Sequence, residues 1–184
     1  MISRGLLKII APLLAACLLT ACGPLTSIKG MAPGIDDFGK QNSSTVRVQT
    51  EVGSLEGDVS VSGPPENYIS NVDFKESVEN AITNSKIFKE VTSSAGENYL
   101  LTVHITHISI GTTDIFSSLV GIKANWTLIR AEDKKPILEK TIISNGTATF
   151  SDTIWGVKRI GLAIEYAVRE NIRLGLTAIA ATDL

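Results

Sequence analysis

The sequence predicts an α+β domain, an antiparallel sheet of about four strands with two amphipathic helices packed on one face. Three observations carry that expectation. Apolar and polar residues alternate over Thr45 to Val52, Tyr99 to Ile110 and Ile122 to Arg130, the period of strands that bury one side. Over Asp73 to Thr83, and again from roughly Thr153 to Ala180, the period lengthens to that of a helix with one apolar face. Finally, Glu132 to Pro136 is a polar turn of hairpin length, which makes the strands on either side of it antiparallel neighbours. Laying both helices on the apolar side of such a sheet is the simplest way to bury all three surfaces.

Each element has its own justification. In the first strand Val46, Val48 and Val52 face one way and Arg47, Gln49 and Glu51 the other. Gly57, Gly63, Pro64 and Pro65 then interrupt the chain, with Val59 and Val61 as a short edge strand between them. The first helix is expected at Asp73, whose side chain caps it while Glu76 reaches back. Its inward residues are Phe74, Val78, Ala81 and Ile82, and Lys86 to Val91 leads out into a short strand. The strand from Ile137 to about Phe150 contains Asn145-Gly146, the signature of a bulge or bend. The closing helix is expected to be capped by Ser151 or Asp152. Val157, Ile160, Ala163, Ile164, Ala167, Val168 and Leu174 form its inner half. Lys158, Arg159, Glu165, Arg169, Glu170 and Arg173 form the outer, with Glu165 and Arg169 spaced as an ion pair.

The amino-terminal stretch says where the protein works. Arg4 and Lys8 precede an apolar run from Ile9 to Leu19. As a helix that run reaches only about 16 Å, half of a bilayer core, so it is a secretory signal and not a stable span. The order Leu19-Thr20-Ala21-Cys22 resembles the lipobox of bacterial lipoproteins. The resemblance implies a diacylglyceryl group on the Cys22 sulfur, cleavage just before it, and acylation of the new amine with a fatty chain such as palmitate. Gly23 in place of Asp after the cysteine implies sorting to the outer membrane, facing the periplasm. Residues 1–21 are then the signal peptide, 22–44 a flexible tether rich in glycine and proline, and 45–184 a single periplasmic domain.

Cleavage leaves 163 of the 184 residues and moves the formal net charge from −2 to −4, without the clustered basic face that nucleic acid requires. Cys17 leaves with the signal and Cys22 is acylated, so no thiol remains for a disulfide, a metal or a nucleophile. The domain has to be held by its core.

Few residues could carry chemistry. His104 and His107, the only histidines, are three apart on a strand and are expected on opposite faces, unable to share an ion. Gly34 to Gln41 nearly matches a phosphate-binding loop, but Gln41 replaces the hydroxyl residue and Asp36 and Asp37 would repel phosphate. No G-x-S-x-G elbow occurs. No catalytic residue, metal site or cofactor is assigned.

Two features suggest a partner contact. Gly111 to Gly121 places Ile115, Phe116, Leu119 and Val120 at a hairpin tip where polar residues are expected; it either folds back on the core, lengthens the strands, or forms an apolar prong. Leu162 and Tyr166 project from the charged half of the last helix, as scattered surface residues or as a contact with a partner.

In the order of its elements, from the lipobox through the strand after the tether, the helix Phe74 to Ile82, the strands Tyr99 to Ile110 and Lys123 to Arg130, and a closing helix with Ala163, Ala167 and Asn171-Ile172, the chain resembles the YajG-type lipoproteins. More loosely it is similar to auxiliary lipoproteins of lipid-transporting ABC systems. The resemblance implies a non-enzymatic periplasmic role that it does not define further; the expectation is that the domain binds a protein partner or assists assembly of an envelope complex, with a lipid-binding accessory subunit of a transport system as the alternative.

Overall fold

The structure, a computed structural model, describes residues 25–34, 43–53, 68–114 and 116–184, with backbone alone at 112–114. Cys22, Ile115, the expected edge strand at Val59 and Val61, and residues 35–41 of the loop after Gly34 lie outside them. The elements in chain order are α1 (Ile28–Met31), β1 (Thr45–Val52), α2 (Asn71–Ser85), β2 (Glu90–Val91), β3 (Tyr99–Asp114), β4 (Ser117–Arg130), β5 (Pro136–Thr149) and α3 (Gly156–Ala180).

The α+β class is as expected, but the sheet has five strands in the order β2-β1-β3-β4-β5 and is mixed. β3, β4 and β5 form an antiparallel meander. β1 lies parallel to both β2 and β3. The reason is the connection: β1 reaches its neighbours through α2, and a helical crossover returns the chain to the same end of the sheet, so the flanking strands run the same way. Among the described residues there are also three helices where two were expected. Residues 25–34, inside the stretch read as a tether, are docked on the domain and include the one-turn helix α1, with Met31 fully buried.

The strands are longer than alternation alone indicated. β3 and β4 pair almost to their hairpin, Asp114 opposite Ser117, so the apolar loop of 111–121 lengthens the strands. Asn145 and Gly146 do not bulge; they pair in register with Gly121 and Val120. Gly146 serves packing instead. A methyl there would stand 2.1 Å from the Ala163 carbonyl oxygen and 2.4 Å from the Ala167 nitrogen, so a bare backbone lets α3 lie close on β5. The bulge falls in β3, between Ile105 and His107.

Both helix starts differ from expectation by a few residues. Ser70, not Asp73, caps α2, its hydroxyl accepting the Asp73 N–H at 3.4 Å. α3 starts at Gly156 after Trp155, with no side-chain cap. Asp152 is occupied elsewhere, accepting from the Thr149 N–H at 2.7 Å and the Thr149 hydroxyl at 3.0 Å.

The inner face of the sheet, the two long helices and Met31 enclose one core. Trp126 lies at its centre, fully buried, with its indole N–H donated to Asn171 Oδ1 at 2.9 Å. Asn171 in turn donates to the Ile142 carbonyl at 3.2 Å and the Ser144 hydroxyl at 3.1 Å. Among the described residues the other face of the sheet carries no helix and is mostly polar.

Candidate functional site

Five of the large apolar residues that the fold leaves outside gather at one end, while Val72 at the start of α2 and Ile143 on the sheet face stand apart. Phe116 at the β3–β4 hairpin, Phe150, Ile154 and Trp155 in the β5–α3 connection, and Val157 in the first turn of α3 are each more than half exposed, Trp155 at 65%. Topology brings them together. Ser117 pairs with Thr149, and the rings of the adjacent Phe116 and Phe150 meet edge to face at 6.1 Å. The Asp152 carboxylate then clasps Thr149 and turns the chain toward the helix. That grip holds the carboxyl below its ordinary value, first through the Thr149 N–H and then through its hydroxyl.

Of the residues expected at this tip, Phe116 belongs to it and Leu119 stands three residues further along β4, opposite Thr147 and partly exposed on the outer face of the sheet. Val120 is buried. Val157 was expected in the core, but the first turn of α3 overhangs the end of the sheet and leaves it outside. Phe150, Ile154 and Trp155 were not singled out from sequence. The signal was present in Phe150-Ser-Asp-Thr-Ile-Trp155, three large apolar residues in what reads as a polar connection, but it was absorbed into a helix assumed to begin at Thr153.

Leu162 and Tyr166 do not project into solvent. Both are half-buried and pack on the core, and Tyr166 stacks under the Arg169 guanidinium at 5.3 Å. Pro33, Gly34, Tyr166 and Arg169 line one shallow cleft. Glu165 and Arg169, expected as an exposed ion pair, hold the 25–34 segment instead. Glu165 is buried and accepts from the Ser27 N–H at 2.8 Å and its hydroxyl at 2.9 Å. Arg169 Nε donates to the Gly30 carbonyl at 3.0 Å. On the other side Ser77 donates to the Ile28 carbonyl at 3.3 Å and Thr26 to the Tyr68 carbonyl at 2.8 Å. The segment therefore bridges α2 and α3.

It also has a direction. Leu25 lies against Gly161, where a methyl would come within 2.6 Å of the Leu25 carbonyl oxygen. Ser27 then meets Glu165, Gly30 meets Arg169, and Pro33 and Gly34 reach the level of Arg173. The segment runs along α3 from its N-terminal end, so its start is at the same end of the molecule as the apolar tip.

The uncovered sheet face shows two corrections. The bulge at Thr106 shifts the alternation of β3, so His104 opposes Asn125 and His107 opposes Lys123. These partners are two apart on β4, so both histidines lie on the outer face and not on opposite faces. His104 Nε2 stands 4.0 Å from Glu51. Among the described residues no group of three or more His, Cys, Asp or Glu side chains is placed to hold a metal ion. At the end of the sheet far from the tip, Ser44, Glu97, Asn98, Tyr99, Arg130 and Glu132 line an open polar cleft of about 430 Å³. Its Glu97 carboxyl is held below the ordinary range, chiefly by its own backbone N–H and by Arg47, whose guanidinium lies 2.7 Å away.

Among the described residues α3 lies close on the sheet at two glycines. A methyl on Gly175 would fall 2.5 Å from the Trp126 ring, and Gly146 meets the backbone of α3 at the other end. Among the described residues no helix is long and apolar enough to cross a membrane.

No protein-family model matches the sequence, and no curated protein matches it. Among solved structures, one shares the fold. A Xanthomonas campestris protein of the DUF330 family, 16% identical, superposes with a TM-score of 0.57 over 82% of this chain and 94% of its own. A minor lipoprotein of Acinetobacter baumannii, 6% identical, gives 0.45 over 79% of this chain and 99% of its own. At these identities the first likeness establishes an architecture, the five-stranded mixed sheet with helices on one face, and nothing about activity.

Proposed function

We propose that the chain is a lipid-anchored, non-enzymatic envelope lipoprotein, acylated on Cys22 and held at the outer membrane, whose domain works by contacting a protein partner in the periplasm. The observation that carries the choice of surface contact over ligand storage is how closely α3 lies on the sheet among the described residues. A lipid-carrying subunit needs a chamber between helix and sheet, and Gly175 against the Trp126 ring and Gly146 against the α3 backbone leave no space at those two points.

The partner surface that fits this reading is the uncovered face of the sheet. Long antiparallel strands present Lys123, Asn125 and Thr147 there, around Ile143, which is among the most exposed large apolar side chains described. A broad face with a polar rim and an apolar centre suits a protein contact. The resemblance of the sequence to YajG-type lipoproteins is compatible with the same role.

The test has two parts. In cells fed labelled palmitate, the wild-type chain incorporates label and sediments with outer-membrane fractions, whereas Cys22→Ala incorporates none and stays as the longer precursor. Label in the Cys22→Ala protein, or a soluble unmodified wild type, overturns the anchorage. A photocrosslinking residue at Ile143 is then expected to trap one discrete envelope protein; crosslinks no stronger than those from the polar cleft at Glu132 overturn the assignment of the face.

A further inference from the structure

The tip formed by Phe116, Phe150, Ile154, Trp155 and Val157 is not part of that partner face, and its position relative to the anchor identifies what it meets. We propose that it is a membrane-docking surface, entering the interfacial region of the leaflet that holds the acylated Cys22. The inference rests on the lipoprotein reading for the leaflet it names.

Three independent observations converge on it. The first is reach. Leu25 is seated on Gly161, one turn of α3 from Val157, about 6 Å along the axis. Cys22 is three residues upstream of Leu25, a contour of at most about 10 Å. The contacts of the 25–34 segment run away from this end, toward Arg173. The anchored sulfur is therefore bound to stay within a short radius of the tip. A bilayer surface lies within that radius whenever the anchor is inserted.

The second is chemistry. Two phenylalanines, a tryptophan and two aliphatic residues, with an indole N–H free to face headgroups, form the composition that concentrates at the boundary between headgroups and acyl chains. Lys158 is exposed beside them and suits anionic headgroups. Asp152, the acidic group in the same connection, directs its carboxylate to Thr149.

The third is the shape of the surface. Phe116 and Phe150 pack on each other across two connections, so the prong is a supported corner of the domain. Once the lipid chains hold the domain at the bilayer, insertion of this corner becomes intramolecular, and even weak partitioning is enough to set the domain's orientation. The uncovered sheet face then stands to one side of the anchor, where a neighbouring protein can reach it.

Tryptophan emission tests this directly, because the chain has two tryptophans in opposite situations, Trp126 fully buried and Trp155 largely exposed. The full acylated protein is reconstituted into vesicles of phosphatidylethanolamine and phosphatidylglycerol, with plain or brominated acyl chains. The difference between wild type and Trp155→Phe isolates residue 155 without removing its apolar bulk. Brominated chains are expected to reduce that difference signal at least roughly twofold, as for an interfacial indole, while emission from Trp155→Phe changes little. An unquenched residue 155 on vesicle-bound protein overturns the proposal, as does a photocrosslinker at Phe150 that captures a protein in place of lipid. A mass spectrum of the same sample reports acylation separately. An unmodified terminus removes the anchor and the lipoprotein reading with it, yet quenching of residue 155 still supports the tip as a membrane contact and its absence still overturns it.

Discussion

A single polar side chain organises the centre of this molecule. Trp126 brings an N–H into a core from which water is excluded, and such a donor has to find an acceptor or destabilise the fold. Asn171 supplies one and gives its own amide to Ile142 and Ser144, tying α3 to β4 and β5 at once. Removing it in Asn171→Ala strands the indole N–H and leaves a void, each a recognised source of large losses. The expected cost is about 2–3 kcal/mol, seen as a lower urea midpoint at unchanged slope; a loss under about 0.5 kcal/mol would mean the network contributes nothing net. The pairing was partly legible. Trp126 falls on the apolar side of an alternating strand, and Asn171 follows Ala163 and Ala167 at four-residue spacing on the inner stripe of the helix. A buried indole and a lone amide on the facing stripe are complementary needs, although only the structure shows that they meet.

Among the elements, the β5–α3 connection joins stability to the proposed docking corner. Asp152 holds Thr149 there, and its carboxyl titrates below the ordinary 3.8 because the Thr149 N–H and hydroxyl favour the charged form. A depressed folded value means the unfolded chain binds the proton more readily. The stabilisation is therefore fully present above the unfolded value near 3.8 and is lost as pH falls through the lower folded one. Denaturation midpoints measured between neutral pH and acid are expected to fall less steeply in Asp152→Asn than in wild type over that acidic window. Identical slopes would show that the clasp is not made in solution. The elements also show why some features were readable and others not. Period-two alternation located β1, β3 and β4, and the polar turn at Glu132 located the last hairpin, since these signals are local. Strand direction is not local. The parallel pairing of β1 with β3 follows from the intervening α2, a topological consequence that alternation does not carry. The bulge at Thr106 adds one residue with no sequence mark, and this reverses the faces assigned beyond it, His107 among them. At the start of α3, Asp152 looks like a cap but is used in a turn, which moved the helix start to Gly156 and hid the tip.

Taken whole, the described domain has an apolar end beside the start of the described chain, a helix laid close on the sheet and a polar face, and those three parts set what it is expected to carry. Ligand chambers that enclose a drug-sized molecule run to about 300–1,000 Å³ and are mostly apolar. Among the described residues α3 lies tight on the sheet at two points, where glycine is required for the helix to lie as close as it does, against the Trp126 ring and against β5. Docking at the tip and storage in the core are thus different capacities, and the proposed function favours the first. Native mass spectrometry of the purified acylated protein, exchanged through mild detergent, is expected to give residues 22–184 plus covalent acyl groups and no further mass. One phospholipid or fatty acid per chain surviving the exchange would require the helix layer to open around it. Retention should then weaken when α3 is pinned to the sheet. A disulfide engineered between the two would make that distinction, because a chamber that opens under α3 loses its ligand when the helix cannot lift, whereas lipid held at the tip does not.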